Sequence, residues 1–188
     1  TGELANLVTA YNAASPIVLR MISRFNGANE NGTLVATVFP QRATRDSLFG
    51  NTEAFSGLSN IFPSFKLTGL VPARKYNFTF YASRTSVGDN RTTRYTVTGA
   101  NTGFAQLNAA NNINNTVSVE GISPTAEGEV TISLTPAASN NNANHFTYLG
   151  VLKLTPYVPP PAFLPPVLQG SQIKLQWTGG GQLFRSTS

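Results

Sequence analysis

Cysteine is absent from the chain, which excludes disulfides, cysteine-ligated zinc, iron–sulfur clusters and a thiol nucleophile. The absence assigns no compartment, because many bacterial secreted proteins also lack cysteine. Acids are scarce, with 8 Asp and Glu against 13 Lys and Arg in 188 residues. The net charge of +5 therefore reflects missing acids, and the basic residues are scattered from Arg20 to Arg185 without a run. Such scatter describes a solvated surface and not a nucleic-acid interface. Histidine occurs once, as His145. No window holds the roughly 18 apolar residues of a membrane span, so membrane insertion is not expected. A sustained helical period is missing too; the best short helix candidate, 47–58, is interrupted by Gly50 and Gly57.

The composition that remains is 40% hydrophobic and only 11% charged. That is enough apolar material for a packed core, under a surface of Asn, Thr and Ser that suits an extracellular β protein. The strongest pattern runs from Leu67 to Thr98. Tyr76, Phe78, Phe80 and Ala82 alternate with Asn77, Thr79, Tyr81 and Ser83. After the break Ser86-Val87-Gly88-Asp89-Asn90, Thr93, Tyr95 and Val97 alternate with Arg94, Thr96 and Thr98. Two half-buried strands joined by a polar loop predict an all-β, antiparallel β-sandwich.

Residues 1–155 read as one sandwich domain. Its strands are expected at 5–9, 17–23, 34–39, 64–68, 76–83, 92–98, 104–107, 116–119, 129–134 and 147–154. Asn- and Gly-rich separators such as Asn111-Asn112-Ile113-Asn114-Asn115 and Asn140-Asn141-Asn142 mark hairpin ends. Residues 156–166 form a proline-rich, extended linker. Residues 167–188 read as a hairpin opening a second, incomplete β module, in which 172–177 and 182–186 flank Thr178-Gly179-Gly180-Gly181. A lone hairpin is marginally stable, so Val158, Phe163, Leu164, Trp177 and Phe184 are expected to pack on the domain or on a partner chain. The start at Thr1-Gly2-Glu3-Leu4, without a visible signal peptide, is expected of a processed or excised piece.

Three segments carry a resemblance: Gly69 to Phe80, Asp89 to Gly99, and Asn141 to Gly150. In that order they resemble a β-sandwich accessory domain of large secreted or surface bacterial proteins, found beside polysaccharide-active or esterase modules. The resemblance implies a galactose-binding-domain-like, jelly-roll sandwich that binds carbohydrate. Its members usually begin with a further N-terminal strand; without one, an open edge invites strand addition by a neighbouring chain.

Arg45-Asp46-Ser47-Leu48 is close to the nucleophile block of GDSL esterases, but with Arg45 in place of its glycine. A nucleophilic serine needs a base oriented by a carboxylate, and no acid lies near His145 in sequence. No enzyme is expected, and His145 reads as a polar-loop residue. A structural calcium, the one cofactor left open, would draw on Asp46, Glu53 or Asp89. Asn31, Asn77, Asn90 and Asn114 each match the glycosylation acceptor pattern, as chance alone would produce in a chain so rich in Asn and Thr. For sugar, the expected cluster is Tyr81, Arg84, Asp89, Asn90, Arg91 and Arg94, an aromatic platform with planar polar groups. The alternative is structural: Asp89 pairs with Arg91 or Arg94, and Tyr81 packs under a loop. The resulting expectation is a non-catalytic accessory domain at the cell surface or outside the cell, whose partner is a glycan or cell-surface polymer. The rival is a subunit that self-associates into a filament or surface array.

Overall fold

The computed structural model describes residues 2–179. In chain order, β1 (Glu3–Leu4), β2 (Val18–Ser23) and β3 (Gly27–Asn29) precede one helical turn, α1 (Gln41–Arg45). Then come β4 (Ser47–Gly50), β5 (Ser64–Thr68), β6 (Tyr76–Tyr81), β7 (Thr92–Thr98), β8 (Thr102–Asn108), β9 (Val117–Ile122) and β10 (Val130–Pro136). The series ends with β11 (Thr147–Leu149), β12 (Val151–Pro156), β13 (Ala162–Phe163), β14 (Val167–Gln169), β15 (Gln172–Lys174) and β16 (Trp177–Thr178).

A six-stranded sheet, β1-β2-β5-β10-β7-β8, forms one layer, and the sheets β12-β6-β9 and β11-β4-β3 lie across the core from it. All ladders in them are antiparallel, so the expected all-β sandwich is the observed fold. Alternation explains the layers. Phe65 and Leu67 on β5, Tyr95 and Val97 on β7, and Val130, Ile132 and Leu134 on β10 point inward and are buried. Phe78 and Phe80 on β6 meet them from the other sheet. The strands β6 and β7 therefore face each other across the sandwich, and the Phe80 and Tyr95 rings stack at 4.3 Å between centroids, 10° from parallel.

Gly150 divides the expected strand at 147–154 into β11 and β12, which join different sheets. Its N–H donates to the Tyr81 carbonyl at 2.9 Å. A Cβ there would stand 3.1 Å from the Asp46 carbonyl and 3.2 Å from that of Tyr81, closer than ordinary contact. Only glycine lets the three backbones meet without a shift.

Other expectations fail for identifiable reasons. The apolar run at 34–39 is a loop, with Leu34 and Val35 exposed and Ala36 turned inward. The helix candidate at 47–58 is β4 followed by a loop, and the helical turn lies just before it. The strand expected at 5–9 is not formed: β1 lies just before it, and within it Val8 makes an isolated bridge to Ala14. Downstream, the hairpin is β14–β15, turning at Gly170 and Ser171, while β16 pairs back on β13 in the proline-rich linker. The strand expected at 182–186, with Phe184, falls outside the described residues.

Candidate functional site

The sheet β11-β4-β3 places Tyr148, Phe49 and Gly27 in register across its width. Gly27 matters because a Cβ there would meet the Phe49 ring at 3.1 Å; its absence lets the ring lie close over β3. Phe146 stands edge-on to Phe49 at 5.5 Å and to Phe55 at 4.8 Å. Phe55 rides on a tight turn in which Ser56 and Gly57 both have positive φ, closed by reciprocal hydrogen bonds between Phe55 and Leu58 at 2.8 and 3.0 Å. Two left-handed residues give a type I′ geometry.

Asparagines hold this loop in place. The fully buried Asn51 donates to the carbonyls of Glu53 and Leu58 at 2.7 and 2.9 Å, and Asn144 donates to that of Ala54 at 2.8 Å. Asn140 and Asn142 are buried as well. Asn140 donates to the Thr92 and Phe146 carbonyls at 3.2 and 2.9 Å, and the Asn142 side-chain carbonyl accepts from the Phe146 N–H at 3.3 Å. The Asn-rich stretch, which reads as a solvated hairpin end, is thus a polar hub that fixes the aromatic wall. His145 lies in it with φ 47°, its N–H closing a turn onto Asn142 at 2.8 Å.

Arg91 forms the charged wall. Its Nε and Nη2 grip the two oxygens of Asp89 at 2.6 and 3.2 Å, and its Nη1 donates to the Tyr148 hydroxyl at 2.7 Å. The guanidinium also lies 5.6 Å from the Phe146 ring centroid, within cation–π range. Asn142 donates to the second Asp89 oxygen. The hydrogen bond from Arg91 holds the Asp89 carboxyl below its ordinary pKa, against the opposing effect of burial. Burial pushes the Tyr148 hydroxyl up, against the pull of Arg91 and Arg84.

These groups line an open recess of about 350 Å³, walled by Phe49, Phe55, Phe146, Tyr148, Arg84 and Arg91, with Asn29 and Asn31 at its side. Of the expected cluster, Arg84, Asp89 and Arg91 come together here. Tyr81 does not: it is fully buried, its ring edge-on to Phe39 at 5.8 Å and its hydroxyl donating to the Ile113 carbonyl at 3.0 Å. The loops at 33–39 and 111–115 cover what alternation assigns to solvent. Arg94 is elsewhere as well, on the outer face of the six-stranded sheet, 3.7 Å above the Phe104 ring centroid. The Asn90 side-chain carbonyl is occupied by the N–H and hydroxyl of Thr92, at 2.9 and 2.6 Å. Phe49, Phe55, Phe146 and Tyr148 are not among the residues expected from sequence. Two of them lie within the resemblance at 141–150, and the other two mark the apolar side of the supposed helix.

The remaining chemistry is not drawn together. Ser47 is buried, with Asn29 at 3.5 Å as its hydroxyl's partner. Asp46 lies 2.6 Å from Arg45. Among the described residues no three His, Asp or Glu side chains converge. Val158, Phe163, Leu164 and Trp177 are all exposed, although Phe163 and Trp177 pair across β13 and β16.

No family model matches the sequence, and no curated protein does. Solved structures show a partial likeness. The ANXUR1 extracellular domain from Arabidopsis thaliana is 10% identical over 72% of this chain, with a TM-score of 0.46. This chain spans only 39% of that one. TmCBM61, solved in complex with beta-1,4-galactotriose, is 12% identical over 76% of this chain and 89% of its own, with a TM-score of 0.41. The CBM22-1 xylan-binding domain of Xyn10C from Paenibacillus barcinonensis is 13% identical over 82% of this chain and 92% of its own, with a TM-score of 0.39. The likeness is one of β-sandwich fold; the functional reading rests on the residues of the site itself.

Proposed function

We propose that the chain is a non-catalytic, extracellular sugar-binding module, and that its site is the cavity between the β11-β4-β3 aromatics and Arg84 and Arg91. The observation that carries this reading is the pairing of an aromatic wall, exposed at Phe55, with planar guanidiniums in one recess. A pyranose offers an apolar C–H face that packs on an aromatic ring and equatorial oxygens that planar donors reach in pairs. Both needs are met: Arg91 is held in place by Asp89 and Tyr148, and Arg84 keeps donors for a ligand.

Phe55 is the cleanest probe, because it is 37% exposed and sits on a loop. Phe55→Ala is expected to weaken binding of a soluble polysaccharide by at least about tenfold. Loss of its aromatic contacts costs about 1 kcal/mol of stability, or roughly 2–4 °C in Tm. Affinity electrophoresis against a polysaccharide panel, paired with thermal melts, measures both. Unchanged retardation of the variant on a polysaccharide that binds the parent would remove Phe55 from the site.

A second reading, self-association, is favoured by two observations. The segment after β12 leaves Val158, Phe163, Leu168 and Ile173 more than half exposed. An apolar recess of about 520 Å³, lined in part by Leu19, Leu67, Leu152 and Leu154, opens where β2 approaches β12. Among the described residues β12 pairs only with β6, so a strand from a second copy would have both an edge and a groove. Light scattering is expected to show concentration-dependent oligomers, reduced by Phe163→Ser; a monomer throughout the micromolar range would end this reading.

A further inference from the structure

We propose that the cavity selects an anionic sugar, a pyranose carrying a carboxylate or sulfate, and seats that group on Arg84. The inference rests on the sugar-binding reading and concerns which class of sugar the site takes.

It follows from counting donors and acceptors in the wall. The cavity is lined by two guanidiniums and by no Asp or Glu. Arg91 is committed, with its fork on Asp89 and its remaining terminal nitrogen on Tyr148. Arg84 is not. None of the ion pairs among the described residues includes it, and its Nη1 contact is to the neighbouring Thr85 carbonyl at 3.0 Å. A guanidinium has five N–H donors, so most of its donors remain for a ligand. Its backbone is fixed, since its N–H donates to the Ala109 carbonyl and its carbonyl accepts from Asn111, both at 2.8 Å.

The acceptors in the wall, by contrast, are mostly used, the Asn31 side-chain amide excepted. The Asn29 side-chain oxygen takes the Asn31 N–H at 3.1 Å and the Ser47 hydroxyl at 3.5 Å. The Asn31 carbonyl takes both the N–H and the hydroxyl of Thr85, at 2.8 and 2.9 Å. The Tyr148 oxygen takes Arg91. A neutral sugar presents hydroxyls that donate as well as accept, and a wall with donors to spare and few free acceptors serves it poorly. A carboxylate or sulfate only accepts, matches the guanidinium fork in geometry, and meets an uncompensated positive charge in a partly desolvated recess. The chain's net charge of +5 favours encounter with a polyanion.

The test is calorimetric titration of the whole chain at low salt with two matched pairs. One pair is oligogalacturonate and its fully methyl-esterified form; the other is a sulfated galactan oligosaccharide and its desulfated form. The expected result is at least a tenfold preference for the charged member of one pair, and which pair shows it separates carboxylate from sulfate. Arg84→Gln is expected to abolish that preference with Tm held within about 2 °C of the parent, while Arg94→Gln, on the far sheet, preserves it. Arg84→Lys keeps the charge without the fork and is expected to restore only part of the preference. Equal affinity for charged and neutral members overturns the inference and leaves sugar binding standing. An equal loss in the Arg84 and Arg94 variants reduces the effect to net charge and overturns it too. Failure to bind any of the four overturns both the inference and the sugar-binding reading beneath it.

Discussion

Arg91→Ala is expected to lower Tm by roughly 5–10 °C and to abolish measurable binding at the cavity. Three interactions disappear together: the fork onto Asp89, the donor to the Tyr148 hydroxyl, and the cation lying over Phe146. The Arg91 side chain is 12% exposed and that of Asp89 30%, so the pair is sheltered without being sealed. Removing one member of a buried pair costs about 3–5 kcal/mol; with Asp89 still reached by water, about 2–3 kcal/mol is expected, at roughly 2–4 °C per kcal/mol for a chain of this size. The double variant with Asp89→Ala should be less destabilised than the two single effects summed, because the orphaned carboxylate is gone. Acid provides an independent check. Arg91 holds the folded-state pKa of Asp89 below its ordinary value of 3.8. The stability this contributes is present above the unfolded value and is lost as pH falls through the folded one. The gap in Tm between parent and Arg91→Ala should therefore narrow below about pH 4. A gap as wide at pH 2.5 as at pH 7 would show that the ion pair contributes little and that Arg91 acts through packing alone.

Phe80→Ala is expected to be more damaging to the fold, by about 3–5 kcal/mol and some 10 °C or more in Tm. Phe80 is completely buried and stacks on Tyr95 from the opposite sheet, so truncation opens a cavity that neither rigid layer can close. Because Tyr95 also donates its hydroxyl to the Tyr148 carbonyl at 2.6 Å, the damage should reach the binding wall. Tyr95→Phe separates the two effects. It keeps the stack and leaves one buried carbonyl lone pair unserved, at a cost of about 1 kcal/mol. Chemical denaturation of the three proteins is the measurement; a Phe80→Ala midpoint close to that of Tyr95→Phe would contradict the central place given to this stack.

Much of the sandwich was legible because a half-buried strand writes its environment into a two-residue period. The segments 64–68 and 92–98 were bounded to the residue, since their apolar positions face one core and their polar positions face water. The period says nothing of what lies over the outer face, which is why Tyr81 was misplaced: its surroundings are Phe39 and Ile113, from loops about 30 to 40 residues away in either direction. Short apolar runs without a clear period, at 34–39 and 47–50, could not be assigned by pattern, because either a loop or a strand accommodates four to six such residues.

The site divides along the same line. Composition and alternation are enough to give an all-β sandwich, to exclude thiol chemistry, and to put arginines beside an acid in a polar loop at 84–91. That Arg84 and Arg91 join Phe49, Phe55, Phe146 and Tyr148 while Arg94 faces the other way follows from the packed loops alone. The physical reason is that strand alternation is local, whereas a cavity is closed by loops. Here Gly150 switches the chain between sheets, and asparagine side chains tie loops remote in sequence into one wall.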